Sequence, residues 1–243
     1  MYKENPKTKG SGIMCAIPQT GTCPNNCEDC FFQSGRSFLE PLDENLPNMP
    51  ETSVCQHRVV RVNDGHDSNI MSNGVNIGWS TRDYPMKFYN TAIPKNIDHF
   101  DAPVVLTVNA AKRTDEEPYL FVDIPEKLMF VRVRVNMWNL GNVTDRVVDW
   151  YTSLEVPVVL TFMAYFDREI PEKYQKYYTF RKRTTNSYSA ITTGAWEKVM
   201  SRYKYNVWVH SCGKIEGELG STACRHCGNC LREYFATMEK LNR

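Results

Sequence analysis

What this 243-residue chain lacks narrows its possibilities first. No stretch approaches the roughly 18 consecutive apolar residues that a membrane-spanning helix requires. The opening residues, MYKENPKTKG, carry no apolar segment of the secretory kind, so a cytoplasmic protein with no membrane partner is expected. There is no excess of one charge either: 29 lysines and arginines face 28 aspartates and glutamates. Bulk attraction to nucleic acid is therefore not expected, and any such contact would need a local basic patch. Internal repeats and low-complexity tracts are also absent. A chain of this length can bury one substantial core, which favours a single α/β domain with a small appendage.

Cysteine, by contrast, is plentiful. The count of nine is odd, and the chain is long for a disulfide-stapled secreted domain, so metal ligation or thiol chemistry is the better expectation. Seven of the nine fall into two groups, Cys23 to Cys30 and Cys212 to Cys230. Cys15 and Cys55 stand apart and read as structural thiols.

Between the two groups, short β-branched runs at 58–62, 104–108, 128–135 and 156–162 read as buried strands. Segments 13–17 and 87–93 add two more. Between the last two runs, Val147, Val148, Tyr151 and Leu154 recur at helical spacing with Thr144 as a candidate cap, which makes a β-α-β unit. Six strands wound in parallel through right-handed crossovers roll into an open or partial barrel. The link from 17 to 58 contains Pro41, Pro47 and Pro50 and should be largely irregular. Residues 167–183 and 193–203 read as helices, the first basic and tyrosine-rich (YQKYYTFRKR), with a solvated face over aromatic packing.

The segment TGTCPNNCEDCFFQ places Cys23, Cys27 and Cys30 as C-x3-C-x2-C just after the first strand, with Pro24, Asn25 and Asn26 as loop formers. Composition alone would produce that spacing in about one such chain in a hundred, so chance is a poor explanation. Thiolates select zinc or iron–sulfur. Structural zinc favours four ligands in paired C-x2-C spacing, whereas three cysteines with unequal gaps suit a four-iron cluster with one iron open. The second group, Cys212, Cys224, Cys227 and Cys230, spaced C-x11-C-x2-C-x2-C, offers four thiolates, with His210 and His226 close in sequence and keeping zinc in contention.

Polar residues cluster where strands end. Asn63, Asp64 and Asp67 in the loop NDGHDSN can accept from an ammonium group, and His66 is either an acid–base group or a surface residue. Asn109 follows the fourth strand. Arg132, Arg134 and Asn136 alternate along one face of the fifth, and Thr161 and Tyr165 close the sixth. Arginines on an inward face suit a carboxylate, phosphate or ribose, while an edge or solvent-facing strand is the plain alternative.

The C-x3-C-x2-C motif after a first strand resembles the radical SAM superfamily, and residues 10 to about 200 loosely fit its partial (β/α)6 TIM-like barrel. The resemblance implies a [4Fe–4S] cluster on Cys23, Cys27 and Cys30 that cleaves S-adenosylmethionine to a 5′-deoxyadenosyl radical. It also implies an electron donor such as flavodoxin or ferredoxin. Substrate could be a peptide, a nucleoside or a small molecule. Family members usually carry an aromatic residue before the third cysteine. Asp29 stands there, so Phe31 or Phe32 would take the adenine contact. NDGHDSN replaces the family's Gly-Gly-Glu-like segment. The cysteines at the C-terminal end are similar to auxiliary-cluster extensions of the SPASM or twitch kind, with gaps of their own. The expected division is thus a barrel over 1–204 and a cysteine-rich module over 205–243, holding a second [4Fe–4S] cluster or zinc. A non-enzymatic zinc-stabilised module touching nucleic acid or protein is the competing expectation.

Overall fold

Parallel strands with both faces covered account for the molecule's architecture. The computed structural model describes residues 1–27, 30, 32, 37–71, 74–109, 120–165, 170–182, 187–213 and 226–243. Six strands form at the expected places: β1 (Ile13–Ala16), β2 (Val59–Val62), β3 (Lys87–Thr91), β4 (Val104–Asn109), β5 (Leu128–Val135) and β6 (Val158–Phe162). They pair in sequence order, each parallel to the next, and the sheet curls into a half-barrel. The continuous apolar runs have their physical reason here, because a strand covered on both faces has little room for polar side chains.

Further elements follow β6. Tyr178–Arg181 (β7) and Tyr188–Ile191 (β8) form an antiparallel hairpin outside the main sheet. Val209–Ser211 (β9) adds a seventh parallel strand beside β6. The helical layer is uneven. Leu42–Asn45 (α1) and Ile77–Thr81 (α2) are single turns, whereas Val143–Ser153 (α3), Thr193–Arg202 (α4) and Asn229–Leu241 (α5) are full helices.

The helix expected over 167–183 is not what forms. Glu172–Tyr177 is a 3-10 turn leading directly into β7. The run Tyr178-Thr179-Phe180 favours extended backbone, and the tyrosines have tertiary partners to meet. Tyr174 and Tyr178 stack on Trp138 with ring centroids 5.7 and 5.9 Å apart. Thr144 is likewise not the cap of α3. Asn142 occupies that place, and Thr144 is the second residue of the helix, its hydroxyl bonded to Asn139 Oδ1 at 3.0 Å.

Alternation along the strands divides the core in two. On the outer face, Val60, Val62, Leu106, Val131, Val133 and Leu160 pack with Val147, Val148 and Tyr151 of α3 and Ala195 and Val199 of α4. On the inner face, Val59, Phe88, Val105, Phe130 and Val159 make an apolar floor. Helix α5 lies against that floor through Tyr234, Leu231 and Met238. Segment 205–243 therefore gives the barrel both a strand and the helix beneath its floor. Each large side chain buried there contributes about 1.5–3 kcal/mol.

Above the floor the inner face turns polar. Register aligns Thr107, Arg132, Val159 and His210 in one row, and Asn109, Arg134 and Thr161 in the next, nearer the C-terminal strand ends. Active sites of barrels occupy that end. The floor yields a direct test. Phe88→Ala, at a fully buried position, should cost about 3–5 kcal/mol in urea denaturation, while Val207→Ala, 78% exposed, should stay within about 0.5 kcal/mol.

Candidate functional site

The chain leaves β1 through Ile17, whose N–H and carbonyl both bond to Asn48, and enters the cysteine loop at Gly21. Turns within the loop are closed by Asn26 N–H to Cys23 O and by Cys30 N–H to Cys27 O. Asn26 takes φ of 41°, a left-handed conformation that asparagine tolerates well. Cys23 is buried and Cys27 and Cys30 are half-buried.

Hydrogen bonds to sulfur mark the loop as compatible with thiolate ligands. Main-chain N–H groups of Asn25 and Asp67 point at Cys23 Sγ, and Asn25 Nδ2 donates to Cys27 Sγ at 3.4 Å. Burial nevertheless pushes the Cys23 thiol above its ordinary pKa. The hydrogen bonds alone leave it protonated, and a bound cation would supply the remaining stabilisation of the thiolate. Among the described residues, no group of three or more His, Cys, Asp or Glu side chains is gathered around a single metal-ion position.

This loop docks onto the loop after β2. Gln19 Nε2 donates to Asp67 O at 3.0 Å, and His66 Nε2 to Gly21 O at 2.9 Å. The Asp67 carboxylate accepts from the Thr91 hydroxyl at 2.6 Å, Ala92 N–H at 2.7 Å, Asn69 N–H at 2.8 Å and Asn25 Nδ2 at 3.3 Å. Asp67 thereby joins the loops following β1, β2 and β3.

Phe32 is buried with its ring edge-on to His66, 5.9 Å between centroids. The ring also covers Gly65 so closely that a Cβ there would overlap it.

The remaining residues expected to contact cofactor divide into two sets. Asp64 turns back into the body, ion-paired with Arg61 at 2.8 Å, accepting from Asn5 Nδ2 at 2.6 Å and lying 3.5 Å from Cys15 Sγ. Cys15 is fully buried in this group, its pKa raised to about 12 chiefly by burial. Asn63, with φ of 60°, donates its N–H to Ala16 O at 2.7 Å and its side chain to Ser68 Oγ, and its buried Oδ1 has no partner among the described residues. Asn109 and Arg134 stand across from each other on β4 and β5. Arg132, further down β5, donates to Asn90 Oδ1 at 3.0 Å.

Of the second cysteine group, Cys224 lies outside the described residues. Cys212 follows β9 and bonds through its N–H to Leu160 O. Cys227 Sγ lies 3.8 Å from Ser211 O, which also accepts from Asn229 Nδ2 at 2.8 Å. Cys212 and Cys230 pack at the side of the apolar floor. These three cysteines are thus brought to the far edge of the half-barrel, at the β9 end, while the first group sits at the β1 end.

Sequence reasoning missed the Arg61–Asp64–Asn5–Cys15 network, the Asp67 junction and the contact of Phe32 with Gly65. The glycine in NDGHDSN was the one local signal for the last of these.

Comparison with protein-family models, with curated proteins and with solved structures finds no match for the chain.

Two outcomes follow from this geometry. Gly65→Ala should destabilise the protein by about 1–3 kcal/mol in urea denaturation, and adding Phe32→Leu should recover part of the loss, giving positive coupling in a double-mutant cycle. His66 supplies the second. Burial lowers its pKa, against the Gly21 carbonyl and Asp67, which pull upward. As pH falls through the ordinary imidazole value of about 6.5, the unfolded chain takes up a proton that the folded one resists. Stability is therefore complete above that value and declines below it. His210, lowered by burial and by Arg232, adds a slope of the same sign. His66→Gln should flatten the decline between about pH 7 and 5 in denaturation midpoints; an unchanged slope would remove His66 from the pH response.

Proposed function

We propose that the chain is a radical-SAM-type enzyme that holds a [4Fe–4S] cluster on Cys23, Cys27 and Cys30. One observation carries this: a C-x3-C-x2-C loop stands at the C-terminal edge of the first strand of a parallel half-barrel, with hydrogen-bond donors directed at two of its sulfurs. When bound and reduced, such a cluster supplies an electron to the sulfonium of S-adenosylmethionine, giving methionine and a 5′-deoxyadenosyl radical.

The chain's own residues do the rest. Asp67 fixes the cysteine loop against the loops after β2 and β3, which limits the positions the thiolates can take. The N–H groups of Asn25 and Asp67 offset negative charge on Cys23. Phe32, closing over Gly65, presents an apolar wall beside the loop and helps to exclude water from it. The polar rows of the inner face, from Asn90 to Thr161, offer groups that orient bound molecules. A second metal group on Cys212, Cys224, Cys227 and Cys230 belongs to the same proposal, as does electron delivery by a flavodoxin or ferredoxin.

Anaerobic reconstitution with iron and sulfide, then dithionite reduction with S-adenosylmethionine, tests the proposal. The wild type should form 5′-deoxyadenosine, and Cys27→Ala should form less by about a hundredfold or more, since removing even a residue that merely supports a metal ligand costs about 10–100-fold. Bound zinc in place of iron and sulfide, with no product, would instead favour a metal-stabilised binding module.

A further inference from the structure

Among the described residues, three arginines of the sheet stand on the inner face, and their surroundings differ. Arg61 is paired with Asp64. Arg132 reaches across β4 to Asn90. Arg134, one step closer to the C-terminal edge than Arg132, buries its Nη1 with no hydrogen-bond partner among the described residues. Directly across the register, Thr161 buries its Oγ1 in the same condition. Asn109 flanks Arg134 on the other side and completes the row.

A buried guanidinium nitrogen without an acceptor forfeits its hydration and gains nothing in return. Folded proteins satisfy nearly all such atoms, and those they leave bare call for an explanation. Here the two residues that carry such atoms are register partners on one row, at the end of the barrel where ligands bind. Both can donate, and a planar guanidinium beside a hydroxyl matches the oxygens of a carboxylate or a phosphate. Arg134, at the centre of that row, lies four strand positions from β1, roughly 19 Å along the curled sheet at about 4.8 Å per strand. An anion held there would share the polar inner face with whatever the cysteine loop after β1 holds.

We infer that Arg134 and Thr161 form a subsite for an anionic oxygen group, carboxylate or phosphate, of the substrate. The term "substrate" rests on the proposed enzymatic function; the anion site itself does not. Its ligand would extend from this row over Thr107 and Asn90 toward the cysteine loop.

The full chain, without added iron or S-adenosylmethionine, would be titrated with inorganic phosphate and separately with acetate, following binding by calorimetry and melting temperature. The wild type should bind at least one of the two, and which one identifies the group. Arg134→Gln should weaken that binding by about tenfold or more, and Thr161→Val by a smaller factor, the charged partner contributing more. Arg134→Lys should fall between the wild type and Arg134→Gln. Arg134→Gln should also melt no lower than the wild type in the absence of anion, because the buried Nη1 makes no hydrogen bond among the described residues that the change would remove. Failure of both anions to bind, or binding unaffected by Arg134→Gln, would overturn the inference. So would a melting temperature several degrees lower for Arg134→Gln without anion, which would make Arg134 a structural residue. Loss of S-adenosylmethionine binding in Arg134→Gln with anion binding intact would assign the row to the cosubstrate and overturn it as well. Arg134-dependent anion binding in a protein that makes no 5′-deoxyadenosine supports the site and defeats the enzymatic proposal; 5′-deoxyadenosine without anion binding does the reverse.

Discussion

The Asp67 carboxylate is the junction on which the C-terminal edge of the half-barrel depends. Three strands end near it, and each is followed by a loop that needs fixing. Its two oxygens receive a hydroxyl from Thr91, main-chain N–H groups from Asn69 and Ala92, and the Asn25 side chain from the cysteine loop. Hydrogen bonds to a charged acceptor are about twice as strong as neutral ones, so one side chain can help order three segments, adding to the packing of Phe32 over Gly65. Its main chain adds the Gln19 contact and the N–H aimed at Cys23. The placement of Cys23 thus follows from a residue more than forty positions away in sequence.

Beneath that edge, the half-barrel solves a different problem. A parallel sheet must be covered on both faces, and a half-closed one has an inner face too curved for ordinary crossover helices. Here α3 and α4 cover the outside, while α5 fills the inside from below through Tyr234, Leu231 and Met238. Its N-terminal half reaches the β9 edge, where Asn229 Nδ2 donates to Ser211 O at 2.8 Å and Arg232 and Glu233 lie close to His210. The inner face is dry and apolar at Val59, Phe88, Val105, Phe130 and Val159, and polar from Asn90 and Arg132 to Arg134 and Thr161. The aromatic group of Trp138, Tyr165, Tyr174 and Tyr178 flanks the mouth beyond β5 and β6, tied down by Asn136 Nδ2 to Tyr165 OH at 3.0 Å and Met137 N–H to Tyr178 OH at 3.2 Å.

The two carboxylates in NDGHDSN illustrate how similar residues part ways. Both read from sequence as acceptors for an ammonium group. In the fold, Asp64 is drawn inward to Arg61 and Asn5 and helps bury Cys15, whereas Asp67 faces the loops. Gly65 separates them, and its missing side chain is what lets Phe32 close down. The arginines diverge in the same way: Arg132 and Arg134 were legible only as cations sharing one strand face, Arg61 was not singled out at all, and the partners of Arg61 and Arg132, like the buried Nη1 of Arg134, emerge from packing.

The amino-acid sequence by itself determined the six strands, their order, the irregular link before β2, the face shared by Arg132 and Arg134, and the position of the cysteine loop after β1. Each of these is written locally, in β-branched runs, period-two alternation, prolines and cysteine spacing. Only the tertiary structure decided that 178–181 is a strand and not part of a helix, because stacking of Tyr174 and Tyr178 on Trp138 and pairing with β8 hold extended a run whose local propensity already leans that way. It likewise decided that β9 joins the sheet and that α5 lies under its floor. A three-residue strand carries too little pattern to be recognised alone, and an amphipathic helix announces an apolar face without naming what covers it. Partners far apart in sequence meet through strand register, a long-range property that no local window contains.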